Sequence, residues 1–149
     1  MSTDEVRIQA DDFDPGVETK ALTRGRKDIG AVVTFIGVVR GDDELKSMHL
    51  EHYPAMTARE IESHIVKAKQ RWPVIAARVV HRIGELCPGE NIVFVGVASA
   101  HRQAAFEAAD FLMDYLKTNA PFWKFEERGE GGNWVRARGE DDDALKRWR

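Results

Sequence analysis

The sequence predicts an α+β fold with mostly antiparallel sheet and helices interleaved between strand pairs. Three observations carry that prediction. Strand-like runs, β-branched at 29–39 and alternating at 47–53, recur in pairs, as do those at 76–86 and 91–99. Between the pairs, apolar residues recur at helical spacing over 57–72 and 99–117. The resulting order, β-α-β-β-α-β-β-α-β-β, sets helices between hairpins rather than between single parallel strands.

Residues 6–9 form a short strand candidate. Asp14 followed by Pro15 is a helix start, with Asp as cap and Pro at the first helical position. That helix runs to about Arg24 and ends at Gly25. Residues 29–39, IGAVVTFIGVV, read as a buried strand that stops at Arg40. A polar loop at 41–44 leads to the alternating run 47–53, SMHLEHY, a strand. Thr57-Ala58-Arg59-Glu60 reads as a capping box opening a helix through Trp72, with Ile61, Ile65 and Ala68 inward and Pro73 as its stop. Residues 76–86 and 91–99 are two strands of a hairpin around Pro88-Gly89.

The stretch 99–126, SAHRQAAFEAADFLMDYLKTNAPFWKFE, holds most of the chemistry. Phe106, Ala109, Met113 and Leu116, with Leu112 beside them, define an inward helix face. Ser99 has the side chain of an N-cap. The helix ends at Lys117, Pro121 breaks it, and an aromatic strand at 122–126 follows. Residues 134–138 are a last short strand, and 140–149 form a charge-segregated tail with helical potential. The expectation is one domain over 1–149, with an N-terminal strand and helix in 1–28 and a charged tail from 139.

The chain has 149 residues, enough for a real core; 43% are hydrophobic, 32% are charged, and the net charge is −3. That balance supplies no global basic field for nucleic acid. No apolar run reaches the roughly 18 residues of a membrane span. The N-terminus lacks the basic-then-apolar order of a signal peptide, and a single cysteine suits a reducing compartment, so the expected location is the cytoplasm. That cysteine, Cys87, lies in a turn without a neighbouring base and reads as a bystander.

Several constellations fail on spacing. His49 and His52 are three apart on a strand and face opposite ways. Neither HExxH nor paired cysteines occur, so no metal is expected. Ser99 lacks a GxSxG elbow, and the glycines at 129–132 lack the Lys-Ser/Thr of a phosphate loop. His81 and Arg82 lie on a strand, with Arg82 facing either a partner or water. What survives is an anion-handling set: Arg40 at a strand end, His101 and Arg102 at a helix start, Lys117, Lys124 and Arg138.

Each member has two readings. Cations in a first helical turn face the positive end of the helix dipole, which suits them to an arriving phosphate or carboxylate, or leaves them pointing into water. Lys117 in a last turn is favoured by the dipole alone. Lys124 sits in Phe122-Trp123-Lys124-Phe125, where aromatic surface would desolvate its amine; alternation would equally put Phe122 and Lys124 on a solvated face, with Trp123 and Phe125 inside. His101 and Lys117 are also about 24 Å apart along one helix. They belong to different sites, or to one site shared between two copies. The set suits a phosphorylated small substrate, with a lysine as acid, base or acyl acceptor.

At these residues the chain resembles the large, catalytic subunit of molybdopterin synthase. The matching motifs are GAVVTFIG at 30–37 running to Arg40, LEHYP at 50–54 with Met56-Thr57, HRIGEL at 81–86 and FVGVASAHR at 94–102. They continue with Phe106-Glu107-Ala108, MDYLK at 113–117, APFWK at 120–124, Trp134-Val135 and Arg138. The resemblance spans about residues 29–138. It implies an α/β-hammerhead-type fold and a central homodimer, each end binding a small ubiquitin-like sulfur-carrier subunit whose C-terminal Gly-Gly ends as a thiocarboxylate. Sulfur would pass to cyclic pyranopterin monophosphate, twice, making the molybdopterin dithiolene, with no cofactor. The resemblance implies a pocket that takes Arg40, Lys117 and Lys124 from one copy and His101 and Arg102 from the other. Lys117 and Lys124 are then the catalytic candidates, with Lys117 nearest the carrier's terminal carbonyl. Val38, Val39, Arg40, His101, Arg102, Phe125, Glu126 and Arg138 join the two lysines as substrate-binding candidates. Phe35 and Met113 either line that pocket or pack in the core. The chain departs from the family pattern at Val38, where a basic residue is common, at Ala55 for a usual glycine, and in a short 41–46 loop. The alternative from another class is a non-catalytic module that binds a ubiquitin-like tail or a phosphorylated small molecule.

Overall fold

The computed structural model describes residues 4–42, 44–52, 54–118, 122–129, 131–135 and 144–148. Its elements are β1 Glu5–Gln9, α1 Pro15–Thr23, β2 Ala31–Val38, β3 Leu45–His52, α2 Pro54–Arg71, β4 Val74–Arg82, β5 Gly84–Leu86, β6 Asn91–Ser99, α3 Arg102–Thr118, β7 Phe122–Arg128 and β8 Gly131–Val135. They form two four-stranded sheets, ordered β1-β4-β6-β2 and β5-β3-β7-β8. Every pairing is antiparallel except β1 with β4. The predicted α+β class therefore holds.

Strand alternation explains how the first sheet is covered on both faces. Val93, Val95 and Val97 of β6, with Ala77 and Val79 of β4, pack against Ile61, Ile65 and Ala68 of α2 and the Ala105–Leu112 face of α3. The intervening Phe94 and Ala98, with Ala76 and Val80, meet Phe13 and Leu22 on the α1 side. At Gly96 an added Cβ would stand 2.5 Å from a Leu22 methyl carbon, so glycine lets α1 lie close to the sheet. Glu18 is also buried on this side. Its carboxylate accepts from Arg78 at 2.8 Å and from Arg7, so the buried charge is paired twice. Asp14 caps α1 as expected, accepting from the Gly16 and Val17 amides.

The second sheet carries its own core of Val39, Leu45, Met48, Leu50 and Leu86. The strand expected at 76–86 is in fact two. The chain leaves the first sheet after Arg82, turns at Gly84 with φ 86°, and joins the second sheet as β5. A positive φ of that size is open to glycine and costly for most other residues.

Four further expectations are corrected. Residues 31–38 are an edge strand rather than a buried one, with Phe35 and Ile36 39% and Val38 48% exposed. Helix α2 starts at Pro54, and Thr57 lies fully buried inside it, so the capping box does not form. Ser99 closes β6 instead of capping α3. Its hydroxyl accepts from the His101 amide at 3.2 Å and donates to the His101 carbonyl, shaping the turn before the helix. Phe106 is 60% exposed; of the predicted inward face Ala109 and Leu112 are buried and Met113 and Leu116 pack against the core, and Ala104, Ala105, Ala108 and Phe111 complete it. Of the run predicted at 134–138, Trp134 and Val135 end β8, which starts earlier than expected, at Gly131; residues 136–138 lie outside the described residues. Residues 144–146 form a helical turn that brings Trp148 edge-on to Trp72 and Phe111, at 5.5 and 5.7 Å.

Candidate active site

Helix α3 separates the predicted site residues into two groups. At its start, Gly30 donates to the Ser99 carbonyl at 3.0 Å and lies so close to the turn that an added Cβ would stand 2.2 Å from the Ala100 oxygen. This draws β2 against the start of α3. An open depression results, lined by Gly30, Ala31, His101, Arg102 and Phe106. His101 and Arg102 are exposed on its rim, and among the described residues neither makes an ion pair. Two free donors at the positive end of a 17-residue helix are placed to receive an anion.

At the other end, Lys117 is exposed in the last turn of α3. Lys124 lies on β7, with Nζ 3.5 Å from a Glu126 oxygen. Glu126 also accepts from Arg128 at 2.8 Å, and Arg128 reaches Asp42 at 2.7 Å. Glu126 thus holds Lys124 in place through an acidic-basic chain. Phe125 points to the opposite face of β7, packed edge-on against Trp134 at 5.3 Å. Phe122 packs against the core of the first sheet while Trp123 is 41% exposed, so the alternative with Phe122 on a solvated face and Trp123 inside does not hold.

Arg40 follows β2 and is exposed. Val38 is exposed beside it, whereas Val39 is 3% exposed in the second core and bonds through its backbone to Glu90 and Gly89. Within one copy, His101 and Arg102 remain a helix length, about 24 Å, from Lys117. Arg138 lies outside the described residues. Arg82 faces neither partner nor water. It is buried, donating to the carbonyls of Ala10 and Asn91 and to Glu90. Cys87 is exposed. No group of three metal-ligating side chains occurs among the described residues.

One group that spacing did not single out lies beside Lys117. His81, at the end of β4, is 8% exposed and stacks on Phe122 with ring centres 3.8 Å apart and planes 17° apart. Its Nδ1 donates to the Arg82 carbonyl at 2.8 Å. Burial, with smaller contributions from the Lys117 and His52 charges, pushes its pKa down to about 4. The ring is neutral at neutral pH. No sequence signal predicts this contact, because it joins residues on separate sheets.

A model of the MoaE protein family matches residues 8–119. The chain belongs to this family. The matched span includes Arg40, His101, Arg102 and Lys117 and ends before Lys124. Similarity to individual relatives reaches further. The chain is 55% identical over 147 residues to a Mesorhizobium japonicum protein named molybdopterin synthase catalytic subunit, covering 97% of this chain and 92% of the relative. Its fold matches the molybdopterin biosynthesis MoaE protein from Burkholderia ambifaria with a TM-score of 0.85, 48% identity and 97% of each chain covered. A Helicobacter pylori structure, a complex of subunits 1 and 2 of molybdopterin-converting factor, aligns with a TM-score of 0.76 at 24% identity over 89% of this chain and 91% of that one. That last likeness is one of fold. The family seen in the motifs at 30–37, 81–86 and 94–102 is therefore the family the whole chain matches.

Proposed function

We propose that this chain is the catalytic subunit of a molybdopterin synthase, a sulfurtransferase of molybdenum cofactor biosynthesis. The observation that carries the reading is the 55% identity, across 97% of the chain, to a relative of that name. The whole chain acts as one domain in the cytoplasm; no helix among the described residues is long and apolar enough to cross a membrane. The sulfur donor is the C-terminal thiocarboxylate of a small ubiquitin-like carrier subunit. The acceptor is cyclic pyranopterin monophosphate. Supplied this way, sulfur requires no thiol from the protein, which accords with the exposed, unassisted Cys87.

The cations take separate roles. His101 and Arg102 bind the substrate phosphate at the start of α3. Lys117 meets the carrier's terminal carbonyl and serves acyl or proton transfer, while Lys124, held by Glu126, balances charge that develops on the pterin. Arg40 adds a further positive charge, with Arg138 in support. These groups meet in one pocket when two copies associate. The support for association is the edge strand β2, whose exposed Phe35, Ile36 and Val38 would otherwise leave apolar surface and unpaired backbone in water.

Mixing two impaired variants, assayed with the pterin substrate well below KM so that weakened binding shows in the rate, tests the shared pocket. In a dimer of one Arg102→Ala copy and one Lys117→Ala copy, one pocket carries both substitutions and the other carries neither. Random exchange of subunits should restore about one quarter of wild-type turnover. Activity that stays at the level of the separate variants would place all the residues of each site within one copy.

A further inference from the structure

Lys117 and Lys124 stand on different parts of the fold. Lys117 ends the helix that covers the first sheet, and Lys124 is on a central strand of the second. Two amines that serve one reacting centre must be fixed relative to each other, because misplacement by about 1 Å costs on the order of 100-fold in rate. The contact that spans the two sheets at this point is a layer of rings. His81 comes from β4 in the first sheet, and Phe122 opens β7 in the second, two residues before Lys124. His52 closes β3, pairs with Phe122 in register, and places its ring 6.1 Å from it.

We propose that His81 is a positioning residue for sulfur transfer: its ring, stacked on Phe122, registers the strand bearing Lys124 against the helix end bearing Lys117. The inference rests on the reading that both lysines serve one centre. The orientation of the ring is fixed at two points. A carbonyl can only accept, so Nδ1 carries the proton that Arg82 receives, and the ring face is held by Phe122. The ring is also chemically suited to its place. It is close enough to Lys117 for the two charges to oppose each other, and a protonated ring there would set a second cation beside that amine. A neutral aromatic packs without that repulsion.

The test uses the full chain assembled with its thiocarboxylated carrier. His81→Ala removes the stack, and His81→Phe keeps a neutral ring. Steady-state kinetics on the pterin substrate give kcat and KM per folded protomer. Spectra of 13C-labelled lysines report the environments of Lys117 and Lys124 independently of turnover. We expect His81→Ala to lower kcat by about tenfold or more, with KM changed less than about twofold, and to move both lysine signals. His81→Phe should recover most of kcat and return the signals to their wild-type positions. Phe122→Leu removes the other ring and should reproduce the His81→Ala loss, which keeps the test open if His81→Ala fails to fold. Unchanged kcat in the folded His81→Ala protein would overturn the proposal and leave His81 a core residue only. Equal loss in His81→Phe and His81→Ala would also overturn it, pointing to direct proton transfer. Lys117→Ala and Lys124→Ala are measured alongside. Full turnover in both would remove the catalytic reading of the lysines, while the lysine spectra would still decide whether His81 orders them.

Discussion

Acidification should destabilise this fold through His81, and the size of the effect follows from its burial. The ring's pKa lies at about 4 in the folded chain, against 6.5 for an unperturbed histidine. The unfolded chain therefore takes up a proton first as the pH falls. Stability attributable to this group is intact above about pH 6.5, declines as pH falls through the window down to about 4, and changes no further below it. That difference corresponds to roughly 3 kcal/mol, most of which is already lost at pH 4.5. His64 and His52 are also held below their ordinary range by burial and add to the wild-type slope in the same direction. The comparison with His81→Phe isolates the His81 share. Urea unfolding of both proteins between pH 7.5 and 4.5 measures it. The wild type should lose roughly 2–3 kcal/mol more than the variant over that range. Parallel pH dependences would refute the argument, because they would mean that His81 is hydrated or charged in the folded protein.

Two further outcomes follow from the same geometry. Glu18→Ala would remove the buried carboxylate from Arg78 and Arg7 and leave them Glu5, 2.7 Å from Arg78, as their remaining acid; chemical denaturation should register a loss of roughly 1–3 kcal/mol. Arg102→Ala should raise KM for the phosphorylated substrate by roughly 10-fold or more, with a smaller effect on kcat, because its role is to bind an anion rather than to react; steady-state kinetics that leave KM unchanged would remove Arg102 from the phosphate site.

The sequence carried the elements whose signal is local. The Asp14-Pro15 start, the helical spacing of Ala109, Leu112, Met113 and Leu116 in α3 and the apolar run of β6 each announce their element within a few residues. What it did not carry depends on contacts between distant segments. The run 29–39 is as apolar as a central strand, yet it lies at a sheet edge, and composition alone does not distinguish a strand covered by its own chain from one covered by another copy. The break at Ile83-Gly84 was hidden because both halves are strand-like, and only the change of sheet requires the positive φ of Gly84. Of the candidate site, the cations were legible because charged residues at helix ends and strand ends stand out from apolar runs. His81 was not, because its partner Phe122 follows by 41 positions and belongs to the other sheet.

Sulfur transfer itself tests the central claim most directly. The purified chain would be incubated with a thiocarboxylated carrier and cyclic pyranopterin monophosphate, and molybdopterin assayed, in parallel with Lys117→Ala. The account predicts product from the wild type and a loss of about 100-fold or more in the variant, the scale of a removed catalytic group. A wild-type chain that binds the carrier but yields no molybdopterin, or a Lys117→Ala chain with full turnover, would contradict it.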